Sequence, residues 1–230
     1  MSTTPENISY LEKCKICGNT NLKKVIKLND QHISATFVKS NNDSDLKKIK
    51  TPLTLSLCIQ DDKKNNCGHL QLHEIIHPDL LYRNYFYRSA TSDTMRKDLK
   101  NVVDSVTKIA KPKSRDTIVD IGSNDCTLLN FYENEFKLVG FEPAQNIKFI
   151  NEGKNIKVFS NYFNSEDFVK NFNSKAKIIT SCAMFYDLED PKKFVNDIQN
   201  ILHDDGVWCV QISYLLLMIR NLNFYDICHE

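Results

Sequence analysis

No run of apolar residues in this chain approaches the ~20 residues needed to span a bilayer. The longest, YLLLMI from Tyr214 to Ile219, falls far short. A signal peptide is not expected either, because the first twenty residues are polar and include Cys14 and Cys17. Charge of one sign is also lacking. Lys and Arg number 30 against 29 Asp and Glu, a net charge of +1, so no strong field draws nucleic acid or a membrane. The lysine clusters near residues 47–50, 63–64 and 192–193 are short and acid-balanced, and they read as solvated faces. There is no internal repeat, no extended low-complexity tract and no G-x-G-x-x-G. The expectation is a globular cytoplasmic protein with no nucleic-acid or membrane partner.

Cysteine, by contrast, is abundant, with eight residues. A secreted disulfide scaffold is disfavoured without a leader. Cys14, Cys17, Cys58 and Cys67 lie in the N-terminal third, and Cys126, Cys182, Cys209 and Cys228 are spread through the rest. Cys14 and Cys17 form a C-x-x-C followed by glycine, in EKCKICGN. Such a turn supplies two of the four soft ligands that tetrahedral zinc requires. The second pair, Cys58 and Cys67, is separated by eight residues, and IQDDKKNN reads as a loop inserted into that knuckle. A structural zinc site of four cysteines is expected, with His69 or His73 as substitutes for one thiol and reduced thiols without metal as the other reading. The N-terminal third is polar and turn-rich, with short strands at KVIKL and TLSLCIQ and another at HISATFVKS. It carries too little apolar material to pack well alone, so a staple is expected.

Pro78 can open a helix, and an aromatic-rich stretch leads into a second helix at LKNVVDSVTKIAK. Its apolar stripe is Leu99, Val102, Val103, Val106 and Ile109. From residue 113 the pattern alternates. Strands are expected at TIVDIG, KLVGFEP, NIKVFS, AKIITSCAMF and VWCVQIS. Helices are expected at CTLLNFYENE, AQNIKFINEG, SEDFVKNFN and DPKKFVNDIQNILHDDG, the last stopped by Gly206 with Phe194, Val195, Ile198, Ile201 and Leu202 on one face. That alternation argues an α/β fold with an open, mainly parallel Rossmann-like sheet. Three domains are expected: 1–80 zinc-binding, 81–112 an aromatic-rich helical connector, and 113–230 a Rossmann-like domain that binds S-adenosylmethionine.

VDIGSNDC closes the first strand of that sheet. Gly122 lets the chain turn tightly toward free backbone N–H groups. Asp120 and Asp125 do not suit a pyrophosphate but do suit an amino group and hydroxyls. Glu142, 20 positions after Gly122, can take both hydroxyls of a ribose. Together with Asn124 these residues suit S-adenosylmethionine, a cation with a ribose and no phosphate. A nicotinamide cofactor is the weaker alternative.

The order CKICG, CGHLQL, LYRNYFYRS, TMR, VDIGSNDCTLL, FEPA, FYDLEDPKKF, DGVWCVQISY and YDICHE resembles the sugar C-methyltransferases of deoxysugar biosynthesis. These are class I enzymes dependent on S-adenosylmethionine, with an N-terminal zinc-binding domain. The resemblance implies a nucleotide-linked keto-sugar substrate, deprotonated next to its ketone and methylated on that carbon. It implies a sugar-side tyrosine, best matched by Tyr87 with Tyr82 and Tyr85 behind it. It implies that Ser89, Thr94 and Met95 belong to a segment closing over the cofactor, and that Pro143, Tyr162 and Phe163 join the cofactor set. His229 and Glu230 match a closing motif whose last histidine, the best-placed base, would follow Glu230. Asp187 stands where some relatives carry a histidine, and Cys126 where the turn has a second glycine. A monomer is expected, or a chain that needs a C-terminal domain. O-methylation and a binding protein without turnover remain the alternatives.

Overall fold

The computed structural model describes residues 7–34, 49–59, 67–223 and 227–229. The expected strand at HISATFVKS and the inserted loop lie largely outside these residues, as does Glu230. The chain divides into two compact units. One comprises residues 1–86, 189–192 and 214–230, and the other residues 87–188 and 193–213. Among the described residues no helix is long and apolar enough to cross a membrane.

The first unit is built from short antiparallel pieces. β1 (Ile8–Tyr10) pairs with β5 (Glu74–Ile76). β2 (Leu22–His32), β3 (Lys50–Cys58) and β4 (Leu70–Leu72) form a three-stranded sheet in that order. Pro78 opens α1 (Pro78–Tyr82), where a missing N–H costs nothing. A second helix, α5, spans Leu215–Asn221. Among the described residues the buried aliphatic side chains here are Leu11, Ile33, Leu53, Leu55, Ile76 and Leu81, of which Ile33, Ile76 and Leu81 form one cluster. So small a core agrees with the need for a staple.

The second unit is an α/β layer structure. Its sheet is β6 (Thr117–Ile121), β7 (Lys137–Phe141), β8 (Ile156–Phe159), β9 (Ala176–Cys182) and β10 (Leu202–Gln211), ordered β10-β9-β6-β7-β8 and parallel throughout. The order reverses between β6 and β9, and in such sheets ligands bind beyond the carboxyl ends of the strands at that switch point. One face packs on α2 (Asp93–Ala110) through Leu99, Val103, Val106 and Ala110. The other packs on Phe168 of α3 (Ser165–Asn171) and on Phe194, Ile198 and Ile201 of α4 (Pro191–Ile201). α2 is capped by the Ser92 hydroxyl accepting from the Met95 N–H, an N-cap bond of the usual kind.

Several local expectations are corrected. Ile109 is 69% exposed and Val195 41%, so the buried stripes are narrower than the apolar pattern suggested. CTLLNFYENE is not an α-helix and holds only a 3-10 turn at Leu129–Phe131. AQNIKFINEG is irregular. Both outcomes follow from Asn130, whose side-chain NH2 donates to the carbonyls of Cys126 and Ile150 while its Oδ1 accepts from the Glu152 N–H. A side chain that competes for backbone groups in this way replaces helix bonds by loop-to-loop bonds. Gly206 does not stop α4. It sits inside β10 at the register shift between Leu202 and Val207, where a Cβ would come within 2.8 Å of Leu202 Cδ1 and 2.9 Å of the His203 carbonyl.

Candidate functional site

The four N-terminal thiols converge. Cys14 Sγ lies 3.5 Å from Cys67 Sγ, and Cys17 Sγ lies 3.5 Å from Cys58 Sγ. All four sulfurs fall within 4.8 Å of one another. Four thiolates at the usual Zn–S length of about 2.3 Å would stand about 3.8 Å apart on a tetrahedron, so the donor set fits zinc. The fold makes the knuckles. Gly18 and Gly68 each follow a ligand with φ of +74° and +65°, a conformation glycine adopts without a Cβ clash. The Cys58 N–H donates to the His69 carbonyl at 3.0 Å and closes the base of the second knuckle. His69 and His73 are absent from the cluster; the His73 Nδ1 instead lies 3.4 Å from the Ser56 hydroxyl.

The thiols share their protons unequally. For Cys14 burial pushes upward, but the N–H groups of Cys17 and Ile16 and the Gln71 amide outweigh it and bring the thiol down. Cys17 is brought down chiefly by the backbone at Asn19. Burial, with neighbouring thiols beside them, pushes Cys58 and Cys67 up. Gln71 is a residue the sequence reading missed. It is 7% exposed, its Oε1 accepts from the Lys15 N–H at 3.1 Å, and its amide faces the Cys14 thiol and helps to lower it. Its signal in the sequence is its place four residues after Cys67, in CGHLQL.

The second site lies at the carboxyl ends of β6 and β7. The turn Gly122–Cys126 alternates handedness, with Gly122, Asn124 and Cys126 at φ of +72°, +50° and +68°. The N–H groups of Gly122 and Ser123 both donate to the Phe141 carbonyl, at 2.9 and 3.0 Å. Glu142 is 5% exposed. Its Oε2 accepts from the Asn124 N–H and its Oε1 from the Ala144 N–H, each at 2.8 Å. Burial raises the Glu142 carboxyl, opposed by those two N–H groups and by the Arg88 charge. Each oxygen of an ionised carboxylate can accept about two bonds, and here each is given one by the backbone. Asp120, beside it, accepts from the Thr180 hydroxyl at 2.6 Å, and burial pushes it up to about 7. Two buried acids side by side suit a cation with hydroxyls better than a phosphate.

Asn124 and Asp125 are both buried, and their side chains turn to the chain before α2. The Asn124 Oδ1 accepts from the Ser89 N–H at 3.0 Å, and its Nδ2 donates to the Tyr87 carbonyl at 3.2 Å. One Asp125 oxygen accepts from the Ala90 N–H at 2.9 Å and the other from the Thr127 hydroxyl and N–H. Tyr87 is half-buried, and burial and the nearby Asp125 charge raise its phenol. Met95 packs against the core beneath α2. Phe163 lies edge-on to Phe141 at 5.1 Å and to Phe194 at 5.4 Å. Pro143 follows Glu142 directly and is partly buried, like Tyr162. Thus Asp120, Gly122, Asn124, Asp125, Glu142, Tyr87 and Ser89 meet around one turn, and Met95 and Phe163 pack against the core clusters on the two faces of the sheet.

His229 is placed in the first unit. It is 4% exposed, and its Nε2 donates to the Pro52 carbonyl at 3.1 Å.

These two sites define a class: a four-cysteine metal knuckle and an open parallel α/β sheet with an acid at the end of its second strand. Residues 14–82 match the family described as "Putative zinc binding domain", under the heading Methyltransf_13. The whole chain is similar to the C-methyltransferase NovU of Streptomyces niveus, with 21% identity over 96% of this chain and 51% of that protein. The chain therefore spans about half the length of the curated relative it matches. These two findings support the resemblance to C-methyltransferases seen in the sequence. Among solved structures, it is similar to the plantazolicin methyltransferase BamL in complex with a triazolic desmethylPZN analog and SAH, at 15% identity and a TM-score of 0.47, over 57% of this chain and 51% of that one. It is also similar to the cyclopropane synthase MmaA2 of Mycobacterium tuberculosis, at 16% identity and a TM-score of 0.37, over 53% and 51%.

Proposed function

We propose that this chain is the zinc-binding and cofactor-binding part of an S-adenosylmethionine-dependent methyltransferase. Its substrate is a small molecule, a nucleotide-linked keto-sugar, methylated on the carbon next to the ketone. The single observation that supports this most is the Glu142 carboxylate, buried at the end of the second strand of the sheet with each oxygen given one bond by the backbone. The similarity to a C-methyltransferase over 96% of the chain supports it independently.

In this reading Glu142 holds the ribose, and the Gly122 turn lets the backbone approach the ligand closely. The buried Asp120 lowers the local potential where a positive ligand sits. Bound S-adenosylmethionine supplies an electrophilic methyl group, so the chain has to orient the acceptor, exclude water and handle one proton. Tyr87 is the proposed sugar-side phenol, a hydrogen-bond donor at neutral pH like any protonated tyrosine. His229 and Glu230 are proposed for the acid–base step. Because the Nε2–H of His229 is directed at the Pro52 carbonyl, Nδ1 is the nitrogen left to accept a proton. Zinc is structural here, since four thiolates leave no open coordination position.

The test is a methyl-transfer assay with labelled S-adenosylmethionine and nucleotide-linked keto-sugars, on this chain and on any longer product of the same gene. Transfer of label to a sugar carbon supports the reading. Tight binding of a nicotinamide cofactor, with no binding of S-adenosylhomocysteine, would overturn it.

A further inference from the structure

We infer that Asn124 acts on the segment Tyr87–Ala90 and not on the cofactor: it is a latch that holds the sugar-side tyrosine to the turn after β6. The inference rests on the methyltransferase reading only for what Tyr87 does, not for the latch itself.

The geometry is two-pronged. The Asn124 amide is nine-tenths buried, its oxygen accepting from the Ser89 N–H and its nitrogen donating to the Tyr87 carbonyl. Its orientation follows from its partners, because a backbone N–H can only face the oxygen and a carbonyl only the nitrogen. This is how a neighbouring strand would engage residues 87 and 89. Asp125 adds a third bond, to the Ala90 N–H. The Arg88 guanidinium adds a fourth and a fifth, donating to the Tyr87 and Asn146 carbonyls. With both ends of its amide occupied, the Asn124 side chain has little left to offer a ligand.

The latch also has a fixed base. The backbone N–H of Asn124 is held by Glu142 Oε2 at 2.8 Å. One residue thus joins the carboxylate proposed for the ribose to the carbonyl of the tyrosine proposed for the sugar. Asn124 sits at φ +50°, where asparagine, aspartate and glycine are the residues that fit without strain. The latch can therefore be altered without breaking the turn that carries it.

That conformational tolerance supplies the test. Backbone amide exchange is measured at Ser89 and Ala90 in the unaltered chain and in Asn124→Gly and Asn124→Asp. S-adenosylhomocysteine is titrated into each by calorimetry. Glycine removes both prongs, and aspartate keeps the acceptor for Ser89 but loses the donor to Tyr87. The expected result is exchange at Ser89 about tenfold faster or more in Asn124→Gly, restored toward normal in Asn124→Asp. The affinity for S-adenosylhomocysteine should stay within about threefold of the unaltered chain. Unchanged exchange at Ser89 in Asn124→Gly overturns the latch, and so does a tenfold loss of affinity, which would make Asn124 a cofactor ligand. If the unaltered chain binds no S-adenosylhomocysteine, the methyltransferase reading fails, while the exchange measurement still decides the latch.

Discussion

The carboxylate of Glu142 holds the backbone N–H of Asn124 at 2.8 Å, across 18 residues of sequence. The bond ties the end of β7 to the turn that follows β6. An acid proposed from its spacing to hold a ligand therefore also shapes the turn beside it.

Replacing Glu142 separates these roles. Glu142→Gln keeps one acceptor but turns an NH2 toward either the Asn124 or the Ala144 N–H. The expected loss is about 1–3 kcal/mol in S-adenosylhomocysteine affinity, with a fall in melting temperature because a buried N–H is left unpaired. Calorimetry and thermal denaturation on the same sample check both. Unchanged affinity would remove Glu142 from the ribose site.

The four-cysteine cluster predicts one tightly held zinc ion per chain, measured by elemental analysis. Removing it with a strong chelator should lower the melting temperature by about 5 °C or more, because metal binding here is folding free energy. Cys14→Ser should do the same without chelator. Gln71→Leu should leave the stoichiometry intact but speed metal transfer to a chromophoric chelator, since the amide beside Cys14 favours its thiolate.

Asp120 gives a pH dependence whose sign is fixed by burial. Its carboxyl is raised to about 7 from an ordinary value near 3.8. Between those values the folded chain binds the proton and the unfolded chain does not, so this group makes stability fall as pH rises. The slope from one such proton is at most about 1.4 kcal/mol per pH unit. Denaturant titrations at pH 5, 6, 7 and 8 should show that decline, and Asp120→Asn should flatten it. An identical pH profile in the variant would refute the assignment.

His229 should contribute to stability through its bond to Pro52. His229→Ala should cost about 1–3 kcal/mol in urea denaturation, and His229→Gln, which keeps an N–H donor, should recover part of that. Equal stability of all three would mean that the carboxy-terminal residues hold only loosely to β3.

The framework was legible in the sequence for a physical reason. β6, β7 and β9 are buried on both faces, so they read as continuous apolar runs between turns, and α2 showed its stripe through Leu99, Val103 and Val106. The zinc cluster was legible because thiols at C-x-x-C spacing followed by glycine have few other uses. What escaped were features set by side chains bonding to distant backbone. Asn130 gives residues 126–152 their irregular course, and no periodicity records that. Asn124 and Asp125 were read as ligand contacts from their place in the turn, and no local pattern announced their further bonds to the backbone of residues 87–90, 35 to 37 positions upstream. Cys126 was noted where a second glycine is usual, and its φ of +68° is what that glycine would have served.

The knuckle formed by Cys58 and Cys67 has a consequence for engineering. Its two ends are pinned by the thiol cluster and by the Cys58 N–H on the His69 carbonyl. Closing a flexible loop costs only about 0.6 kcal/mol more for each doubling of its length. Zinc and that backbone bond would hold Cys58 and Cys67 together whatever number of residues separates them, so an epitope or a fluorophore inserted between them is expected to leave metal binding intact.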